Sequence, residues 1–221
     1  MAKVIFNGNS RSILGEFSGK VGNVVYGSWK GIPYVRSMPE SVANPRTVGQ
    51  LEQRAKMTTI VKFLQPLKVF LRVGFKSKTA NMSAFNAATS YFFKNALTGT
   101  YPEYEIDYSK AMVSQGTLPG ALHPSVRLTT PDEMEFRWDD NSNVIDARGD
   151  DKVMLMVYNP GKQEVVTIMR GHTRTSESQS ITLPSSFVGD EVQCYIAFQS
   201  YGEKEVSDSM YVGGIVVENE K

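Results

Sequence analysis

Residues 152–159 read KVMLMVYN, and they close on the cluster Asn159-Pro160-Gly161 before a second run at 164–170. A short apolar run stopped by turn-forming residues and answered by another reads as strand, turn and strand. Working outward, the same punctuation recurs. Further strands are expected at 125–129, 134–138, 180–183, 193–200 and 209–217. Pro119-Gly120, Asp139 to Asn143, Val188-Gly189-Asp190 and Tyr201-Gly202 separate them. About seven short strands at this spacing predict an antiparallel β-sandwich over 117–221.

Upstream the pattern changes. Residues 1–18 read as irregular. Residues 20–38 read as a β-hairpin, with Val21, Val24, Val25, Tyr26 and Trp29 in one arm and Ile32, Tyr34 and Val35 in the other. Lys30-Gly31 supplies the turn, and Pro33 marks the second arm as an edge. A linker runs from Pro39 to Pro45. Thr47 with Gln50 three residues on then predicts a capped helix start. Pro66 predicts a kink, or a second helix with Pro66 in its first turn. Ser83 caps a further helix over 84–97, ended by Gly99. Residues 104–113 alternate loosely, as a strand connecting the two halves. The fold class is therefore α+β: a hairpin-plus-helix domain over 1–100, a connecting strand over 101–116, and the sandwich.

Length and composition permit this: 221 residues, 41% hydrophobic and 21% charged, exclude wholesale disorder. A single cysteine, Cys194, excludes an intramolecular disulfide framework and a cysteine-built metal site. The short apolar run at the N-terminus does not match a secretion signal, and no stretch approaches the roughly 18 apolar residues of a membrane span. These features point to a cytoplasmic chain, or one that enters an assembly such as a virion, with no membrane partner.

The net charge of +1 conceals a division. Residues 1–99 hold 14 basic side chains against three acidic ones, and residues 100–221 hold 10 against 20. A cationic front fits nucleic acid, an acidic protein, or the acidic rear of another copy; alternatively the two halves pack together.

Two resemblances enter. Glu135-Phe136-Arg137-Trp138, residues 153–158, residues 191–198 with Tyr195, and Glu205-Val206-Ser207-Asp208-Ser209 resemble the strands and Ser-containing turn of a fibronectin type III or related immunoglobulin-like domain. The lack of a cysteine pair fits the fibronectin type. Along nearly the whole chain, Ser18-Gly19-Lys20-Val21-Gly22-Asn23-Val24-Val25, Trp29-Lys30-Gly31, Asn44-Pro45-Arg46-Thr47, Gln50 to Lys56, Phe85-Asn86-Ala87-Ala88 and Lys94 to Gly99 resemble an uncharacterised Bacteroidetes family of unknown function. That resemblance implies a bacterial or bacteriophage origin and carries over no site residues.

The remaining motifs point away from chemistry. Gly15 to Lys20 is one residue short of a phosphate loop, and Val21 stands where the magnesium-binding hydroxyl belongs. Asp139, Asn141, Asn143 and Asp150 have calcium-loop spacing, but Val144 replaces the turn glycine. Arg148-Gly149-Asp150 reads as a charged turn. His123 and His172 lack metal spacing, and no serine sits in a nucleophile elbow. No cofactor, metal or catalytic residue is expected. Lys20, Trp29, Lys30, Tyr34 and Arg36 interleave cations with aromatics, a combination that neutralises phosphate and stacks on bases. Arg54, Lys62, Lys68 and Arg72, with Lys76, fall within roughly 120° on a continuous helix. The expected function is that of a non-catalytic structural or interaction protein, acting through protein contacts or self-assembly, in a phage particle or similar multimer. The alternative is a nucleic-acid-binding accessory protein using the basic half.

Overall fold

The structure, a computed structural model, describes residues 3–5, 16–29, 32–41, 44, 46–79 and 82–218. The chain divides into two compact units, residues 1–46 and 47–221. The first is an antiparallel meander of β1 (Lys3–Ile5), β2 (Glu16–Val21), β3 (Val24–Trp29) and β4 (Ile32–Ser37), in that order across the sheet. The expected hairpin is β3 with β4, its Lys30-Gly31 turn lies outside the described residues, and β4 is an edge, as Pro33 indicated. The arm expected to begin at Val21 instead breaks at Gly22-Asn23. Gly22 takes φ 58° there, a left-handed turn residue that separates β2 from β3.

The second unit opens with α1 (Val48–Leu64), α2 (Lys68–Gly74) and α3 (Ala84–Asn95). Thr47 holds the N-cap position of α1, but its side chain makes no capping hydrogen bond, so the capping box does not form. Ser83 does cap α3, accepting from the Asn86 amide at 3.2 Å. Pro66 ends the first helix instead of bending it, and it lies ahead of α2, not in its first turn. The third helix stops at Asn95. Gly99 belongs to β5 (Leu97–Thr100), which pairs with β6 (Glu103–Ile106). Beyond β6 the connector is irregular, not a strand. It is pinned by Ser114, whose hydroxyl donates to the Ser207 carbonyl at 2.7 Å, and by Ser209, whose hydroxyl accepts from the Val113 amide at 2.8 Å.

The sandwich then forms from β7 (Leu122–Thr130), β8 (Glu133–Asp139), β9 (Lys152–Asn159), β10 (Glu164–Ile168), β11 (Ser178–Thr182), β12 (Glu191–Gln199) and β13 (Met210–Val216). One sheet runs β10-β9-β12-β13 and the other β11-β8-β7. This is the four-plus-three antiparallel arrangement expected of a fibronectin type III-like sandwich, and the chain is α+β. Met134, Phe136 and Trp138 of β8 meet Val153, Leu155 and Val157 of β9 and Cys194, Ile196 and Phe198 of β12 between the sheets.

The opposite face of the four-stranded sheet is also buried. Met154, Met156, Tyr158, Tyr195 and Ala197 pack with Ile60, Phe63, Leu64, Leu67, Phe70 and Leu71 of the helical segment. The unit thus has three layers, and the helices belong to the sandwich's core. Charge divides the chain near residue 100, whereas packing divides it at Arg46–Thr47. The reason is the apolar end of α1: Ile60, Phe63 and Leu64 share one face, Leu67 follows just past the helix, and each gains about 1.5–3 kcal/mol on burial.

Burial gives a pH dependence. Burial pushes the Cys194 thiol up to about 12. It also pushes the Tyr158 phenol up to about 12, with Tyr108 adding to the rise. Each acid is held neutral in the folded chain above the pH at which the unfolded chain releases its proton. The stabilisation is complete below pH ~9, and it fades as pH rises from there toward 12, at up to about 1.4 kcal/mol per pH unit for each group. The urea midpoint is expected to fall from pH 8 to pH 10.5, and less steeply in Cys194→Ala. An equal slope in the variant would remove Cys194 from this account.

Candidate functional site

The meander's register gathers the cations that the sequence scattered. Lys20 lies opposite Val25, and Val25 lies opposite Arg36. Gly27 lies opposite Tyr34. Side chains alternate between the faces of a strand, so Lys20, Val25, Tyr34 and Arg36 share one face. The Tyr34 ring lies across Gly27, where a Cβ would stand 2.9 Å from its Cζ and Oη. Glycine here is the bed for the ring. Lys20, Tyr34 and Arg36 are all exposed. Trp29 ends β3 opposite Ile32, and its side chain lies outside what is described; Lys30 lies outside the described residues altogether.

No described residue of the meander beyond β1 whose burial is known is buried. Val21 is 54% exposed and Val35 56%, on the face opposite Lys20. Both faces of this sheet therefore carry apolar surface into solvent, alongside the cations of one of them.

The helical stripe does not survive as one line. Arg54 and Lys62 stand on α1, while Lys68 and Arg72 stand on α2, past the break at Pro66. All four are exposed. Lys68 lies over the Phe85 ring at 5.9 Å, and Lys76 donates to the Glu203 carbonyl at 3.0 Å. The stripe is a scattered cationic surface over the helical layer.

A cleft of about 620 Å³ opens where α1 and α3 meet the β5–β6 hairpin. Glu52 pairs with Lys56 at 2.7 Å and accepts from the Tyr104 hydroxyl at 2.9 Å. The hydrogen bonds from Lys56 and Tyr104 hold the Glu52 carboxyl below its ordinary range, and the bond to Glu52 raises Lys56. Both stay ionised at neutral pH, the arrangement of a structural pair and not of groups poised to exchange a proton.

Sequence reasoning missed a buried guanidinium. Arg174, in a short 3-10 turn ahead of β11, is wholly buried and pairs with Asp151 at 3.2 Å. Burial lowers its pKa while Asp151 raises it. Two of the four residues with calcium-loop spacing are otherwise engaged: Asn141 accepts from Arg174 at 2.6 Å, and Asp139 pairs with His123 at 2.8 Å. Among the described residues no cluster of three or more His, Cys, Asp or Glu is placed to hold a metal ion. No helix among them is long and apolar enough to cross a membrane.

Residues 16–213 match the model of a family of unknown function (DUF6266). No curated protein matches the chain.

Proposed function

The chain belongs to this family of unknown function, DUF6266, and from that premise we propose that it is a non-catalytic structural or interaction protein that acts by contact with other protein chains, its own copies included. One observation carries the reading: the meander exposes Val21, Tyr34 and Val35 at 54, 44 and 56% and buries none of its side chains of known burial. A sheet of this size gains stability by covering a face, and a partner chain supplies that cover. A multimer such as a phage particle is the setting proposed for it. The second reading, nucleic-acid binding, is favoured by the shared face of Lys20, Tyr34 and Arg36, which fits a phosphate backbone with a stacked base.

Light scattering across a salt series, with and without DNA, separates them. Contact between chains predicts multimers at low salt that dissolve as salt rises and ignore DNA. Nucleic-acid binding predicts monomers whose DNA affinity falls with salt, with a logarithmic slope near −3 for about three phosphate contacts. A monomer indifferent to both overturns both.

A further inference from the structure

We propose that one end of the sandwich is the receptor for the basic face of the meander of a second copy, so that copies join head to tail. The proposal rests on the assembly reading above and names its partner. The β8–β9 and β12–β13 connections meet at this end and line a cleft of about 500 Å³. Residues 139–151 and 200–208 hold eight acidic side chains against two basic ones, Arg148 and Lys204. More than half of the negative excess of the rear half therefore comes from these two loops.

Some of that charge is already answered. Arg174 pairs with Asp151, Arg170 with Glu203, and His123 with Asp139. Asp146, Asp150 and Glu205 line the cleft with no ion-pair partner among the described residues. Asp151 also lines it and is wholly buried, yet its Oδ1 has no hydrogen-bond partner among them. A buried acceptor oxygen without a hydrogen bond, beneath an acidic rim, favours an incoming donor. Apolar contact is at hand as well: Ile145 is 85% exposed and Tyr201, in the cleft wall, 62%.

The chain itself carries the complement. Residues 1–46 hold six basic side chains against two acidic ones, and the meander presents Lys20 and Arg36 with Tyr34 on one face. Opposite charges set encounter rate and register, while Tyr34 against Ile145 and Tyr201 supplies desolvated contact. The two surfaces differ, so the interface is heterologous and closes a ring or extends a filament.

Two variants test it. Asp150→Lys with Glu205→Lys reverses the receptor at exposed positions, and Lys20→Glu with Arg36→Glu reverses the ligand face. Each alone is expected to be monomeric by light scattering at low salt, where the natural chain is multimeric, with self-affinity down at least tenfold. Mixed in equal amounts, the two are expected to associate again, because each keeps one intact half of the contact. A natural multimer that persists in both variants keeps assembly and overturns this interface. Monomeric variants that stay apart when mixed also overturn it. A natural chain that is monomeric at all concentrations overturns both the assembly reading and this interface.

Discussion

Arg174→Ala is expected to cost about 3–5 kcal/mol in urea unfolding, because it strands a buried carboxylate. The guanidinium donates to Asn141 Oδ1 at 2.6 Å, the Pro119 carbonyl at 3.0 Å and the Gly120 carbonyl at 3.2 Å. Its Nε and Nη2 reach Asp151 Oδ2 at 3.3 and 3.2 Å. It also stacks 3.9 Å from the Phe198 ring centroid, and the Arg174 carbonyl accepts from the Trp138 indole at 2.7 Å. Truncation removes donors from three acceptors and leaves Asp151 charged, buried and without its counter-ion. Arg174→Lys is expected to lose most of the same energy, since an ammonium on a flexible stem cannot reproduce a planar fork aimed at four partners. The pair Arg174→Met with Asp151→Leu is expected to recover a large part of the loss, because no unpaired charge remains. A cost below about 1 kcal/mol for Arg174→Ala would sink the assignment of this residue as the sandwich's polar anchor.

Phe63→Ala is the second large effect, at about 3–5 kcal/mol. Phe63 is 3% exposed and joins the helical layer to the sheet. Its ring lies 5.2 Å from Phe92, 4.8 Å edge-on from Tyr158 and 6.0 Å from Tyr108. Because helices and sandwich share this core, the variant is expected to unfold in one transition. Trp138 fluorescence, read in a Trp29→Phe background, and far-ultraviolet dichroism should then move together. Helix signal lost ahead of Trp138 would mean that the layers are held separately. Val69→Ala, at a side chain 67% exposed, serves as the control and is expected to stay within about 0.5 kcal/mol.

The sandwich was readable because its strands are short and its turns carry Gly, Pro, Asn and Asp; 152–159 was placed to the residue. Ser83 was readable because a serine before an apolar helix has few other uses. Thr47 showed the position of a cap but not its hydrogen bond, which depends on a rotamer that no pattern encodes. The charge division near residue 100 and the packing division at Arg46–Thr47 differ because charge labels surfaces while packing follows apolar faces. The clue was present in 152–159 and 191–199, where continuous apolar runs mark strands covered on both sides. Lys20, Tyr34 and Arg36 were named from composition, but only the register, with the turn at Gly22-Asn23, puts them on one face. Arg174 left no trace in the sequence, since an arginine in a loop ordinarily reads as solvated.

The central sheet has a consequence for how the chain tolerates change. Along β9, Val153, Leu155 and Val157 answer to one neighbour and Met154, Met156 and Tyr158 to the other. Odd and even positions therefore evolve under separate constraints within a single ribbon of backbone. A library that randomises only the even positions, together with the facing side of α1, can re-tailor how the helices dock while leaving the sandwich's own jigsaw untouched.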